Sequence, residues 1–174
     1  GERAEQLALP SPFDRYNFGL FALSSISTRY AHREESYRRI ARCIAATVSA
    51  KKGNYIVYFP SYTYLEEVLK LFRLLYPKIT TVVQSKDMRL AERESFLDAF
   101  AADDALRVGF CVLGGSFSEG VDLPGARLIG VLIVGVGLPG ISNQQNVLQE
   151  YYQDRFEMGY EYVYLYPGMN RVLQ

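Results

Sequence analysis

Apolar residues along the chain alternate between short uninterrupted runs and longer stretches with helical spacing. The short runs have the length and the aromatic and β-branched content of buried strands. They predict six strands, at Phe18–Leu23, Tyr55–Phe59, Ile79–Val83, Val108–Leu113, Leu128–Val134 and Tyr160–Tyr166.

The stretches between these runs repeat apolar residues every three or four positions, which is typical of amphipathic helices. Ser61, with Thr63 as a rival, is the predicted N-cap of a helix that stops near Pro77. The other predicted helices lie at Glu34–Ala50, Arg89–Phe100 and Asn143–Phe156, with one more opening at Pro167.

Strands that are apolar throughout and alternate with helices predict a mostly parallel sheet with helices on both faces. Ligands of such sheets bind beyond the carboxyl ends of the strands. The segments to examine are therefore those that follow the predicted strands, namely Pro60–Tyr62, Gln84–Asp87, Gly114–Pro124 and Gly135–Gly140.

The composition is that of an ordinary globular domain, with 174 residues, of which 49% are hydrophobic and 22% charged. Lys and Arg together number 19, as do Asp and Glu, so the formal net charge is zero. Nucleic acid, if bound, would be held by local contacts rather than by a basic surface.

The two cysteines, Cys43 and Cys111, have no Cys or His neighbours at metal-binding spacing. A disulfide scaffold and a zinc or iron–sulfur site in this segment are therefore not expected, and a reducing cytoplasm is the natural location. No apolar run approaches the roughly 20 residues that cross a bilayer, and Gly1–Leu9 lacks the apolar stretch of a signal peptide.

The segment Gly114–Gly125 is the richest in chemistry, since it combines four glycines with two hydroxyls and two carboxylates. Gly115 and Gly120 have the spacing of the P-loop glycines, but Val121 and Asp122 replace the required Lys and Ser/Thr, so a standalone phosphate cradle is not expected. The loop can still offer backbone N–H groups to a phosphate, and its carboxylates can orient a sugar hydroxyl, a water or a metal. It equally fits a glycine-rich turn between two strands.

Gly135–Gly140 spells the dinucleotide pattern G-x-G-x-x-G after a predicted strand. It lies late in the chain, and Pro139 removes a backbone N–H where a pyrophosphate needs donors. A dinucleotide-binding oxidoreductase domain is the weaker alternative that this pattern leaves open.

Other polar and aromatic residues carry weaker signals. Ser61 fits a helix cap as well as a phosphate contact, and His32, the only histidine, fits a solvated surface position. The stretch Arg29–Arg33 is a modest basic patch, usually a solvated face. The spacing of the tyrosines and phenylalanines does not indicate an exposed platform for stacking bases.

Five blocks, in this order, resemble the C-terminal helicase lobe of the DinG/XPD family within superfamily 2. They are Ser11–Asp14, which is similar to the family's lead into this lobe, Tyr58–Tyr62 (motif IV), Gln84–Ser85 (the next block), Gly115–Gly125 (motif V) and Tyr166–Gln174, the approach to motif VI. The resemblance covers nearly the whole chain. The arginines of motif VI, the Walker A lysine, the acidic box and the family's iron–sulfur cysteines are absent from it.

The resemblance implies that residues 1–174 form one three-layer RecA-like α/β domain of the P-loop NTPase type, with residues 1–14 arriving from the preceding lobe. ATP with Mg²⁺ would bind between this lobe and the N-terminal RecA-like lobe of the same protein. An iron–sulfur cluster would belong to the other part of the protein. The lobe alone is expected to have no ATPase activity, because phosphoryl transfer needs groups from both lobes.

Carried over by position, the resemblance assigns catalytic roles to Glu119, Asp122 and Gln174. Glu119, Gly120 and Asp122 would face the nucleotide, and Gln174 would approach the γ-phosphate. The implied partner is single-stranded DNA, along which the protein would move from 5′ to 3′. The DNA backbone would be contacted by Ser61, Tyr62, Gln84 and Ser116. A non-catalytic interaction domain with vestigial motor loops is the remaining alternative.

Overall fold

A computed structural model describes residues 15–118 and 121–173 of the chain, except for the side chain of Arg15. Four parallel strands form one sheet in this part, in the order β2-β3-β1-β4. Their bounds are β1 Asn54–Phe59, β2 Thr80–Val83, β3 Arg107–Val112 and β4 Gly130–Ile133. The predicted parallel sheet is confirmed, with these strands within two residues of their predicted limits.

Five α-helices lie in this part of the chain where the apolar spacing predicts them. They are α1 Arg33–Ala50, α2 Tyr62–Leu75, α3 Leu90–Asp98, α4 Asn143–Phe156 and α5 Tyr166–Leu173, and two of them, α2 and α3, connect strands. Short 3-10 turns lie at Arg15–Asn17, Tyr30–His32 and Gly125–Arg127. Ser61 is the N-cap of α2, because its Oγ accepts the Tyr64 N–H.

Two buried clusters cover the two faces of the sheet. Since successive strand residues point to opposite faces, Val57 and Phe59 of β1 pack with α1 and α2. Ile56 packs on the other face with Phe96 of α3 and with Phe100, which follows α3. The domain thus has three layers, and the sequence prediction of a sheet covered on both faces is confirmed.

The strand predicted at Phe18–Leu23 is wrong. The segment is irregular, and the side chains of Phe18, Leu20 and Phe21 are 73%, 83% and 90% exposed. An apolar run becomes a strand only when a neighbouring strand satisfies its backbone groups, and within residues 15–118 and 121–173 none pairs with this one.

The strand predicted at Tyr160–Tyr166 is also wrong. A π-helix at Glu161–Leu165 runs directly into α5 there. The alternating tyrosines imitate the two-residue period of a strand, but their rings pair four residues apart, as on a helix. Tyr160 and Tyr164 have ring centroids 5.6 Å apart, and Tyr162 and Tyr166 have theirs 5.3 Å apart. The helix predicted to open at Pro167 begins one residue earlier.

Candidate functional site

The carboxyl ends of the four parallel strands lie along one edge of the sheet. Gln84 follows β2, the segment Gly114–Ser118 follows β3, Ser61 and Tyr62 follow β1, and Gly135 follows β4. The strand order therefore places these four segments side by side at the edge where α/β proteins bind ligands. The segments that the sequence predicts to face ligands are brought together.

A tight turn over Gly114–Ser118, hereafter the β3 turn, is held by its own backbone. Gly114 has a φ of 71°, a left-handed conformation that glycine adopts without strain. The N–H of Gly115 donates to the Val112 carbonyl at 3.1 Å, and the Ser118 hydroxyl donates to the same carbonyl at 3.2 Å. Ser116 lies exposed within the turn, so its hydroxyl is accessible to a ligand.

The side chain of Gln84 holds the β3 turn in position from within the protein. This side chain is only 3% exposed, and its Oε1 accepts the Val112 N–H at 2.9 Å. A Cβ added at Gly115 would lie 2.7 Å from the Gln84 Nε2, so the amide and the turn are in direct contact. The DNA contact predicted for Gln84 stays a prediction, and the geometry gives this residue a positioning role.

Tyr58 holds the same turn from the neighbouring strand. Its phenol donates to the Phe117 carbonyl at 2.6 Å, across 59 positions of sequence. Burial, with a smaller contribution from Cys111, raises the pKa of Tyr58, so the phenol keeps the proton that it donates. The ring of Phe117 stacks on Phe96 of α3 with centroids 4.2 Å apart. The turn is thus tied to β1 and α3, which sequence reasoning missed.

Ser61 and Tyr62 stand at the first turn of α2. The Ser61 Oγ accepts the Tyr64 N–H at 3.3 Å, which leaves the hydroxyl proton able to donate to an external acceptor. The Tyr62 phenol donates to the Ser85 carbonyl at 3.4 Å and so links α2 to the segment after β2. Burial raises the pKa of Tyr62, with Cys111 and Asp87 adding to it, which keeps this donor neutral.

Asp122 is exposed, whereas the apolar residues on either side of it, Val121 and Leu123, are not. Leu123 is buried in the cluster under α3, and Val121 packs against the same cluster. The flanking side chains therefore fix the backbone while the carboxylate stays accessible. Glu119, Gly120 and Gln174 lie outside the described residues, so their assigned roles stay predictions.

Two of the three glycines in Gly135–Gly140, Gly135 and Gly137, are packed against the protein itself. Gly135 has a φ of 74°, and a Cβ there would lie 2.6 Å from the Thr28 Oγ1. The Gly137 carbonyl accepts an N–H from Arg171 of α5 at 2.9 Å. The close backbone approach at Gly135 and Gly137 thus serves packing within the protein, which weakens the dinucleotide alternative.

Residues 15–118 and 121–173 show neither a metal-binding cluster nor a membrane-spanning helix. No three His, Cys, Asp or Glu side chains lie together there as a metal site would require. Cys43 and Cys111 are free thiols, and burial raises the pKa of Cys111, which disfavours the thiolate that binds metals. No helix in this part is long and apolar enough to cross a bilayer.

Known proteins resemble this chain in sequence and in fold. A family model described as the helicase C-terminal domain matches residues 44–174. A protein named as a probable ATP-dependent helicase of Methanocaldococcus jannaschii is 29% identical in an alignment of 167 residues that covers 88% of this chain and 24% of that protein. The chain thus spans about a quarter of the length of this curated relative.

Two solved XPD structures share the fold. An XPD helicase superimposes with a TM-score of 0.66 at 20% identity, over 85% of this chain and 26% of that one. An apo XPD gives a TM-score of 0.65 at 20% identity, over 84% of this chain and 30% of the other. The expected RecA-like α/β fold is confirmed by these likenesses. Because the family model covers well over half of the sequence, this chain belongs to the helicase C-terminal domain family.

Proposed function

We propose that this chain is the second motor lobe of an ATP-dependent DNA helicase of the XPD/DinG type. It works with an N-terminal RecA-like lobe of the same protein, and ATP binds between the two. Opening and closing of the cleft moves the protein along single-stranded DNA, from 5′ to 3′. Family membership and the helicase name of the relative support this proposal, and the two free thiols suit a cytoplasmic location.

One observation carries the proposal, namely the position of the β3 turn within a row of polar groups at the sheet edge. The turn presents the accessible hydroxyl of Ser116, and the Ser61 hydroxyl stands at the end of the neighbouring strand. Such hydroxyls and backbone N–H groups bind phosphates without reading bases, as a translocating motor requires.

The same loop links the DNA contacts to the nucleotide. Ser116 precedes Asp122 by six positions, and the segment between them is anchored at one end by Phe117 and at the other by Leu123, both in the cluster under α3. In this proposal the carboxylate and the hydroxyl are therefore coupled through the same buried cluster. Tyr58 and Gln84 hold the start of this loop in position.

In this proposal the hydrolysis of ATP also requires residues of this lobe that the structure does not describe and residues of the N-terminal lobe. ATP supplies the phosphoryl group whose transfer to water drives the motion, and its charge is neutralised by groups from both lobes. In this proposal Mg²⁺ binds together with ATP between this lobe and the N-terminal lobe, which share it. Glu119, Gly120 and Gln174 complete the nucleotide contacts of this lobe.

The proposal is tested by Asp122→Ala in the full-length protein. DNA-stimulated ATP turnover should fall roughly tenfold or more, which corresponds to about 1.4 kcal/mol of lost transition-state stabilisation. Thermal stability should not change, because the carboxylate is exposed. Asp104→Ala, at another exposed carboxylate on a loop before β3, is the matched control. Unchanged turnover in Asp122→Ala would remove this residue from the nucleotide site.

A second test uses the isolated 174-residue chain. We expect no ATP hydrolysis above background, with or without single-stranded DNA, because half of the phosphate contacts are missing. A phosphate-release assay at high protein concentration measures this directly. Robust hydrolysis by the isolated chain would contradict the assignment of the active site to two lobes.

A further inference from the structure

A shallow pocket of about 310 Å³ opens beside the start of α1. We call it the α1 pocket, and it is lined by Ser27, Arg29, His32, Glu35, Ser36 and Arg39. None of these residues belongs to the motifs that carry the proposed function. From the sequence alone, Arg29–Arg33 is interpreted as a solvated face.

The α1 pocket lies at the same edge of the sheet as the candidate site. The hydroxyl of Ser36, in the wall of the pocket, lies 3.2 Å from the phenol oxygen of Tyr64. The backbone N–H of Tyr64 in turn donates to the Ser61 hydroxyl. On the other side, Thr28 lies against Gly135 at the end of β4. The pocket therefore extends the row of strand ends beyond Ser61, toward β4.

The charges of the α1 pocket favour an anion. Arg29 and Arg39 are exposed, and among residues 15–118 and 121–173 no carboxylate pairs with either guanidinium. Glu35 also lines the pocket, but its side chain is 84% exposed and lies 4.0 Å from the His32 Nδ1. The two guanidiniums outnumber this one carboxylate, so the charged side chains of the pocket carry a net positive charge.

We propose that the α1 pocket binds a backbone phosphate of single-stranded DNA and so lengthens the DNA track. The inference rests on the proposed function and names a further contact for its substrate. Guanidinium groups bind phosphate through paired N–H donors, and the Ser27 hydroxyl beside them is a further donor. The pocket recognises the charge of the phosphate and not the bases. The other DNA contacts proposed at the carboxyl ends of the strands do the same.

A phosphate of DNA fits the pocket better than a phosphate of ATP. The wall of the pocket contacts Tyr64, which belongs to the cluster on the α1 and α2 face of the sheet. The flanks of Asp122 belong to the cluster on the opposite face, under α3. The pocket and the nucleotide-facing carboxylate are thus separated by the sheet, whereas the pocket and Ser61 are neighbours.

The test is the salt dependence of DNA binding by the full-length protein, measured by fluorescence anisotropy with labelled oligo-dT. The pocket variant is Arg29→Ala with Arg39→Ala, and the matched control is Arg38→Ala with Arg42→Ala, two exposed arginines of α1 that do not line the pocket. Each lost phosphate contact lowers the slope of log affinity against log salt by about 0.7. The pocket variant loses one such contact and should therefore lose about 0.7 in slope, whereas the control should keep the wild-type slope.

The possible outcomes separate the failure of this inference from that of the proposed function. If the wild-type protein does not bind oligo-dT, the proposed function fails. If it binds but the pocket variant keeps its slope, or the control loses as much, the pocket is not a phosphate site. If the KM for ATP without DNA rises while the slope is unchanged, the pocket takes nucleotide phosphate and the assignment to DNA is wrong. Equal thermal midpoints, and a slope restored by Arg29→Lys with Arg39→Lys, support the proposal.

Discussion

Two regions of this domain are stabilised in different ways. In the sheet region, β1, β3 and the β3 turn are held by side chains that contact distant parts of the sequence, such as the buried Gln84 and the partly buried Tyr58. In the C-terminal helical region, from α4 to α5, the helix α4 has no buried residue at all among those described. The first region fixes atoms in place for chemistry, whereas the second is built mainly from contacts between its own neighbours.

Aromatic rings form the main contacts of the C-terminal helical region. Tyr152 stacks on Tyr162 with centroids 4.9 Å apart, and Phe156 and Tyr166 lie against the same pair. Most of these rings remain between 40% and 50% exposed. The spacing in the sequence does not indicate this group of rings, because helical stacking gathers residues whose spacing looks like that of a strand.

Truncation of one phenylalanine in each region should give the largest difference. Phe110 is fully buried, where it stacks on Phe59 and contacts Phe72, so Phe110→Ala should lower the free energy of unfolding by about 3–5 kcal/mol. Phe156 is 47% exposed, so Phe156→Ala should cost roughly 1 kcal/mol, mostly from lost ring contacts. Urea unfolding of the two variants measures both values. Similar losses would mean that the C-terminal helical region is as tightly packed as the sheet.

Much of the sheet region could be predicted from sequence because each buried strand is apolar at every position. β1 and β3 are found within one residue of the predicted limits, and Ser61 caps α2 as its residue type indicates. The position of Ser116 at the edge also follows, since parallel strands end on the same side. Local pattern and tertiary structure agree at these residues.

The contacts that shape the site could not be predicted in this way. Tyr58 and Phe117 are 59 positions apart, and Gln84 and Val112 are 28 apart, so no local pattern reports that they meet. Gln84 is polar at a strand end, which suggests a ligand contact, yet its amide faces the β3 turn. The errors at Phe18–Leu23 and Tyr160–Tyr166 have the same origin, because the sequence shows composition and period but not pairing.

Substitution of one glutamine in each region should give the next largest difference in the free energy of unfolding. Gln84→Ala leaves the buried Val112 N–H without its acceptor, which should cost about 1–3 kcal/mol in the free energy of unfolding. Gln153 makes a similar bond, from the Gly159 N–H to its Oε1 at 3.1 Å, but its side chain is exposed. Water can replace it there, so Gln153→Ala should cost less than about 0.5 kcal/mol.

Chemical denaturation of both glutamine variants measures these two costs. The sheet region also contains the candidate site, so Gln84→Ala should in addition weaken DNA binding by the full-length protein while Gln153→Ala leaves it unchanged. If the two variants were equally destabilised, the exposure of the Gln153 side chain would not make its hydrogen bond weaker than that of the buried Gln84.

The two serine caps allow a smaller and more local comparison. Ser61 and Ser142 each accept an N–H at the first turn of a helix, at 3.3 Å and 3.2 Å. Removal of such a cap costs about 1 kcal/mol. Ser61→Ala should lower global stability by this amount, since α2 is packed on the sheet. Ser142→Ala should instead increase hydrogen exchange in the first turn of α4 and leave the global midpoint nearly unchanged. A shift of the global midpoint by Ser142→Ala would show that α4 unfolds together with the sheet.

The smallest effect is expected from the exposed ion pair at the start of β3. Hydrogen bonds from Arg107, and then from the Ala105 N–H, lower the pKa of Asp103 from 3.8 to about 2. Because the folded-state pKa is the lower one, the stabilisation is present above pH 3.8 and is lost as the pH falls toward 2. Asp103→Asn should therefore lower the thermal midpoint slightly at neutral pH and not at all near pH 2. Since solvent screens this pair, a large shift at neutral pH would mean that surface charge, and not the buried contacts of β3, stabilises the sheet region.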